Sequence, residues 1–179
     1  MKGVLTGVAT LAAIALAFSS SASAHGSYIC TGNVLFTTFD QNIVVPDGAS
    51  CGLKSDTVNG NISVGNNASL AVGFSTVNGN VDVGSDSVLG IDFGTVTGNT
   101  SVGAGSVATI IYEAVNGNYL ALDASSDLSL SSFESVTITG GTYTISGNTI
   151  AKNLTCDGGA TGSGGGNNIG GHNNGCTLQ

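Results

Sequence analysis

The chain has 179 residues, enough for one domain, and a formal net charge of −8, with 11 acidic residues, 3 lysines and no arginine. That balance repels nucleic acid and anionic membrane surfaces. It also disfavours polyanionic substrates such as pectate unless a cation bridges them.

The first element predicted is a signal peptide over 1–24. Lys2 precedes an apolar run, Val8 to Phe18, that has the length of a secretory signal core and is too short to span a bilayer. SSSASA follows, with Ala22 and Ala24 as the small residues a signal peptidase accepts. Cleavage before His25 leaves a mature chain whose strong bases are Lys54 and Lys152, with a net charge near −9. No later stretch is apolar enough to cross a membrane. The expected location is therefore secreted, extracellular or at the cell surface, with no membrane insertion. As a free N-terminus, His25 could chelate copper through its amine and imidazole. Oxidative copper chemistry at such a terminus needs a second histidine nearby, and His172 is far along the chain. His25 reads as a cleavage-site residue, with adventitious copper binding as the alternative, and no cofactor is expected.

Residues 25–38 precede the first regular repeat and are expected to fold over it as a cap. From there VNGN or VTGN recurs at Val58, Val77, Val96 and Val115, an interval of 19 residues each time. Phe39 opens the same register one unit earlier. Columns at fixed offsets are apolar: Ile43, Ile62 and Val81; Val45, Val64 and Val83; Leu70 and Leu89; Val72 and Ile91; Phe74, Phe93 and Tyr112. Serine, aspartate and glycine alternate with them, so each unit holds two or three short strands. A strand of this kind buries its face only if identical coils stack about 4.8 Å apart. The fold class expected over 39–155 is all-β: a right-handed parallel β-helix, or β-solenoid, of seven to eight coils. Val58, Val77, Val96, Val115, Leu70, Leu89, Phe74 and Phe93 are assigned to its core.

The asparagines Asn42, Asn61, Asn80, Asn99, Asn118 and Asn153 occupy one position of the repeat. A bend there suits asparagine, which tolerates positive φ and bonds backbone groups. They are expected to form an internal ladder. Glycosylation at the sequons starting at Asn61, Asn99 and Asn153 would contradict that register, and a fourth starts at Asn67. After Val115 a two-residue insertion is expected to place Val136 in the same column, followed by Ile150 and Ile169. Residues 156–179, rich in glycine, are expected to form an irregular last coil or cap.

Four cysteines in an exported chain allow three pairings. The local one, Cys30 with Cys51 and Cys156 with Cys176, places a bond at each end. The spacing does not suit zinc, and oxidation outside the cell favours disulfides. If the caps fail, end-to-end self-association is the natural alternative.

The strings NIVVPDGASCGLKSDTVNGNISVG and GNTIAKNLTC…GGGNNIGGHNNGC resemble a group of small secreted bacterial V-x-G-N repeat proteins of uncertain function, familiar from actinobacteria. The likeness covers Asn42 to Cys176 and departs from the group's pattern at His172 and Lys152. The coil also resembles the right-handed parallel β-helix of pectate-lyase-like proteins. Neither resemblance brings an active site.

The carboxylates do not read as catalytic. Asp82, Asp86 and Asp92 fall on different sides of one coil. Asp56 and Glu113 share a column three coils apart, about 14 Å, too far for a glycosidase pair. All are read as an acidic surface. A weak calcium site around Asp123 and Asp127 lacks the repeat signature of a designed one. Thr57, Thr76 and Thr95 form a short outward file, thin support for ice binding. The leading expectation is a secreted non-catalytic binding or structural module whose partner is a glycan or a cell-surface protein. The alternatives are a polysaccharide-active β-helix enzyme and a self-assembling extracellular structural protein.

Overall fold

The computed structural model describes residues 26–178. The expected signal peptide and His25 lie outside them. The described chain is a parallel β-solenoid of three sheets with nine, eight and eight strands, in which each strand pairs with its counterparts one coil before and after. A typical coil runs Ile62–Val64 in the first sheet, Ser69–Gly73 in the second and Thr76–Val77 in the third. The next coil repeats this nineteen residues later, Val81 opposite Ile62, Leu89 opposite Leu70 and Val96 opposite Val77.

Alternation fixes which side chains go in. In Ser69–Gly73, Leu70 and Val72 are buried and Ala71 faces out. Val58, Val77, Val96 and Val115 form one buried column of the third sheet, and Leu70 and Leu89 stack in the second. No single coil closes a core; burial comes from stacking like on like. Polar residues also enter at the corners, where they serve the backbone. The hydroxyls of Ser87 and Ser106 each accept the amide of the preceding coil, Ala68 and Ser87 respectively, at 3.1 and 3.0 Å.

Three expectations need correction. Residues 28–39 are not a separate cap but the first coil, since Tyr28–Ile29, Asn33–Leu35 and Thr38–Phe39 each pair with the next coil. Its link from the first sheet to the second is short: Tyr28 stands opposite Ile43, whereas Asn33 stands opposite Gly52. Second, no insertion follows Val115. The coils there shorten, with Ser125 opposite Val107 and Thr142 opposite Ser125. Val136 consequently lies opposite Tyr119 in the first sheet, and Phe133 continues the column of Val115. The large Tyr119 and Phe133 rings meet edge to face at 6.0 Å. Third, the glycine-rich segment forms a regular coil, Leu154–Asp157, Thr161–Gly165 and Asn168–Ile169.

That last coil shows why glycine suits an end. Gly162 and Gly164 sit opposite Tyr143 and Ile145, where earlier coils point side chains inward. The tail fills the space instead. Thr177 donates its amide to the Tyr143 hydroxyl at 2.7 Å, and a Cβ on Gly164 would stand 3.1 Å from Leu178. Cys156–Cys176 ties this tail to the coil, and Cys30–Cys51 ties the first coil to the second. No described helix is long and apolar enough to cross a membrane.

Candidate functional site

The second sheet leads to a sharp corner, and one residue makes it in every coil. Phe36, Ser55, Phe74, Phe93, Tyr112 and Leu130 have φ between 51° and 58°, and Gly147 and Gly166 complete the column at 67° and 66°. A left-handed residue reverses the alternation: after inward Leu70 and Val72, Phe74 turns outward and Ser75 turns in. Phe74 and Phe93 are therefore not core residues; they are 59% and 47% exposed, and Tyr112 is 51% exposed. The three rings stack, with centroids 5.2 and 4.8 Å apart and planes within 8° and 11° of parallel. Each non-glycine L residue in this conformation costs roughly 1–2 kcal/mol. The column keeps large apolar side chains there all the same.

Beneath the rings lies a buried polar column. Asp56 accepts the amides of Thr37 and Lys54, both at 2.7 Å, and its own amide donates to Ser75 Oγ at 3.0 Å. Glu113 Oε2 accepts from Gly94, and the Glu113 amide donates to Ser131. Asn148 accepts from Ser131 and donates its own amide to Asn167. Asp56 and Glu113, read from sequence as surface acids, are 2% and 3% exposed. Burial pushes the Glu113 carboxyl up to about 7, the Gly94 hydrogen bond opposes this, and the charge of Asp92 adds to it. Glu113 Oε1 is buried without a partner.

Beside the ladder, the second sheet forms a trough along the solenoid axis. Its floor is Gly52, Ala71, Gly90 and Thr109. One rim is Lys54, Gly73, Asp92 and Ile111; the other is Ser50, Ser69, Val88 and Val107. Two shallow hollows lie in it, about 360 Å³ against Phe74 and about 410 Å³ over Gly90. The exchange of Phe74, Ser55 and Gly147 at one repeat position does not mark this surface in the sequence, because the inward column of Ser126, Tyr143 and Gly162 varies in the same way.

The asparagine ladder is present in the backbone geometry but lies outside. Asn42, Asn61, Asn80 and Asn99 each accept, through Oδ1, the amide of the equivalent residue in the next coil at 2.8–2.9 Å. Asn153 accepts that of His172 at 3.0 Å. Asn42, Asn61, Asn99, Asn118 and Asn153 are exposed, and none of the six has positive φ. Left-handed turns fall instead at Gly48, Asn67, Asp86, Gly105 and Asp123. The side chains serve the coil from its outer corner because glycine backbone crowds the inside: a Cβ on Gly79 would lie 2.4 Å from Gly60 O.

The outward carboxylates do not meet. Asp82 lies on the first sheet, bonded to Ser101 Oγ at 2.6 Å, and Asp92 on the second. Asp127 accepts from Ser129, and Asp123 is an exposed left-handed turn residue. Among the described residues no three His, Cys, Asp or Glu side chains gather in a metal-holding group. The file of Thr57, Thr76 and Thr95 gains Thr38 at one end and breaks at Ala114. These features define a repeat scaffold with an apolar outer stripe at the corner of the second sheet. Comparison with protein-family models, with curated proteins and with solved structures returned no match.

Proposed function

We propose that the chain is a secreted, non-catalytic β-solenoid that acts outside the cell as a binding scaffold, with the aromatic ladder and adjoining trough as its contact surface. The observation that carries this reading is the choice of residue at the left-handed corner. Glycine fits that conformation without strain and is used at Gly147 and Gly166. Phe74, Phe93 and Tyr112 stand in the same conformation with half their surface in water. Ring stacking returns roughly 0.5–1.5 kcal/mol per pair, about what the strained backbone costs. Stability alone gives little reason to keep them, whereas a contact surface does.

A glycan is the partner class this surface favours over a protein at the cell surface. The trough floor is nearly flat and runs parallel to the coil stack, so an extended chain can lie along it and meet the same column at each step. The ring edges supply an apolar wall, Asp92 and Ser69 supply polar groups on the rims, and Thr109 supplies one on the floor. The test is a glycan-array screen of the chain from 25 to 179, with calcium present and absent, repeated with Phe93→Gly. A reproducible hit on one polysaccharide class, lost in the variant, is the expected result. No hit from monomeric, folded protein sinks the glycan partner and leaves a protein partner or a purely structural role.

A further inference from the structure

We propose that the position of Ser55 is a vacant rung in the aromatic ladder and that it binds a planar aromatic carboxylate. This ligand is separate from the glycan along the trough, so a blank glycan array leaves the proposal standing.

The gap is built by register. Leu35, Lys54 and Gly73 are paired across three successive coils, so the residues that follow them, Phe36, Ser55 and Phe74, occupy one column. All three share the left-handed corner, with φ of 55°, 58° and 51°. Phe36 and Phe74 therefore stand on backbones two coils apart, about 10 Å. Further along, the ladder places one ring per coil at centroid spacings of 5.2 and 4.8 Å. One ring is missing at Ser55, and among the described residues the ring of Phe74 has no aromatic neighbour on that side.

A hollow of about 360 Å³ opens beside the gap, walled by Val34, Leu35, Ala71 and Phe74. It exists because two rim and floor positions lack side chains. Gly73 has nothing within 4 Å of where its Cβ would be, and Asn33 folds over Gly52, its Oδ1 2.4 Å from the site of a Cβ there.

Charge selects the ligand. Among the described residues, Lys54 is the one charged residue lining the hollow. The ion pair found among the described residues joins Lys152 to Glu134, so Lys54 has no partner there. The nearest acid in sequence, Asp56, has both oxygens engaged by the amides of Thr37 and Lys54. An exposed lysine thus lines an apolar slot in a chain of net charge −8. A flat ring with one carboxylate matches both features. A pyranose matches less well, because among the described residues its hydroxyls would find only Asn33, Lys54 and Ser55 as side-chain partners, and unmet polar groups are costly.

The probe is 2-naphthoate, followed by its fluorescence. The chain contains no tryptophan to overlap with it. The expected result is saturable binding, weakened about tenfold or more by Lys54→Gln, the loss of one charged hydrogen bond. The uncharged 2-naphthamide and the non-planar decalin-2-carboxylate should bind at least as much more weakly. Ser55→Phe should fill the rung and abolish binding. Gly73→Leu blocks the hollow from a strand position with open space and serves if Ser55→Phe does not fold. No saturable signal, full binding to either blocked variant, or equal binding of the decalin acid would overturn the proposal.

Discussion

Glu113 reaches across one coil into space that Gly94 leaves open. Its Oε2 accepts the Gly94 amide at 2.7 Å, and a Cβ on Gly94 would stand 3.2 Å from that oxygen. The folded chain raises this carboxyl from 4.5 to about 7, chiefly through burial. Between those values the folded state holds a proton that the unfolded state has released. Stability from this group is therefore full below pH 4.5 and is lost as pH rises through 7. Glu113→Gln should remove that slope. Urea midpoints of the two proteins across this range should diverge in pH dependence, and parallel profiles would show that Glu113 is already ionised in the fold.

Glycine matters where coils touch and not where they face water. A Cβ on Gly79 would lie 2.4 Å from Gly60 O and 2.7 Å from Asn61 Oδ1, whereas one on Gly73 meets nothing within 4 Å. Neither glycine has positive φ. Gly79→Ala should cost about 1–3 kcal/mol by forcing two coils apart. Gly73→Ala should change stability by less than about 1 kcal/mol. Equal effects in chemical denaturation would mean that coil contact at Gly79 is not limiting.

The two asparagine files should differ in worth because water reaches one and not the other. Asn148 is 1% exposed, accepts the Ser131 amide at 2.9 Å and donates to Leu128 O at 2.7 Å. Asn148→Ala strands a buried amide and carbonyl and should cost about 2–3 kcal/mol or more. In Asn80→Ala, solvent can replace the Oδ1 that accepts from Asn99 at 2.8 Å, and the cost should be about 0.5–1.5 kcal/mol. The comparison is one of urea midpoints, and a larger loss at Asn80 contradicts this account.

The coil was legible because its signal is redundant. Val58, Val77, Val96 and Val115 repeat at one interval, and period-two alternation around them yields strands and an inside. The corner at Phe74 was not legible by the same rule, since one left-handed residue inverts the alternation without changing the count. Repeat counting misplaces Val136 for a related reason. Two coils drop residues at bends, where no apolar column marks the loss, so the register slipped into the wrong sheet. Asp56 and Glu113 look like surface acids in the sequence because a charged residue in a polar stretch carries no mark of the backbone amides it will serve.

A stack of coils should unravel from its ends. Cys156–Cys176 closes a 20-residue separation around the last coil, whose inward positions include Gly162 and Gly164. Replacing both cysteines by alanine gives up about 3 kcal/mol on the chain-entropy estimate. Because each coil contacts only its neighbours, the loss should be local. Amide exchange should rise over 154–176 and stay slow at Ile62, Val81 and Thr100. Uniform acceleration along the chain would instead mean that the solenoid unfolds as one unit.

Phe93 separates stability from contact. Its ring stacks on both Phe74 and Tyr112, and its backbone is held at φ 53°. Phe93→Gly gives up two stacked pairs, each worth roughly 0.5–1.5 kcal/mol, and relieves about 1–2 kcal/mol of backbone strain. Added backbone entropy of about 0.5–1 kcal/mol offsets part of the relief. The net change in stability should lie between about 0.5 kcal/mol gained and about 3 kcal/mol lost. Partner binding should nevertheless fall sharply, because removing the middle ring splits the apolar wall of the trough. A variant that melts far below the parent would show that the ladder is kept for the fold. One that melts near it and still binds would mean that the ladder is not the contact surface.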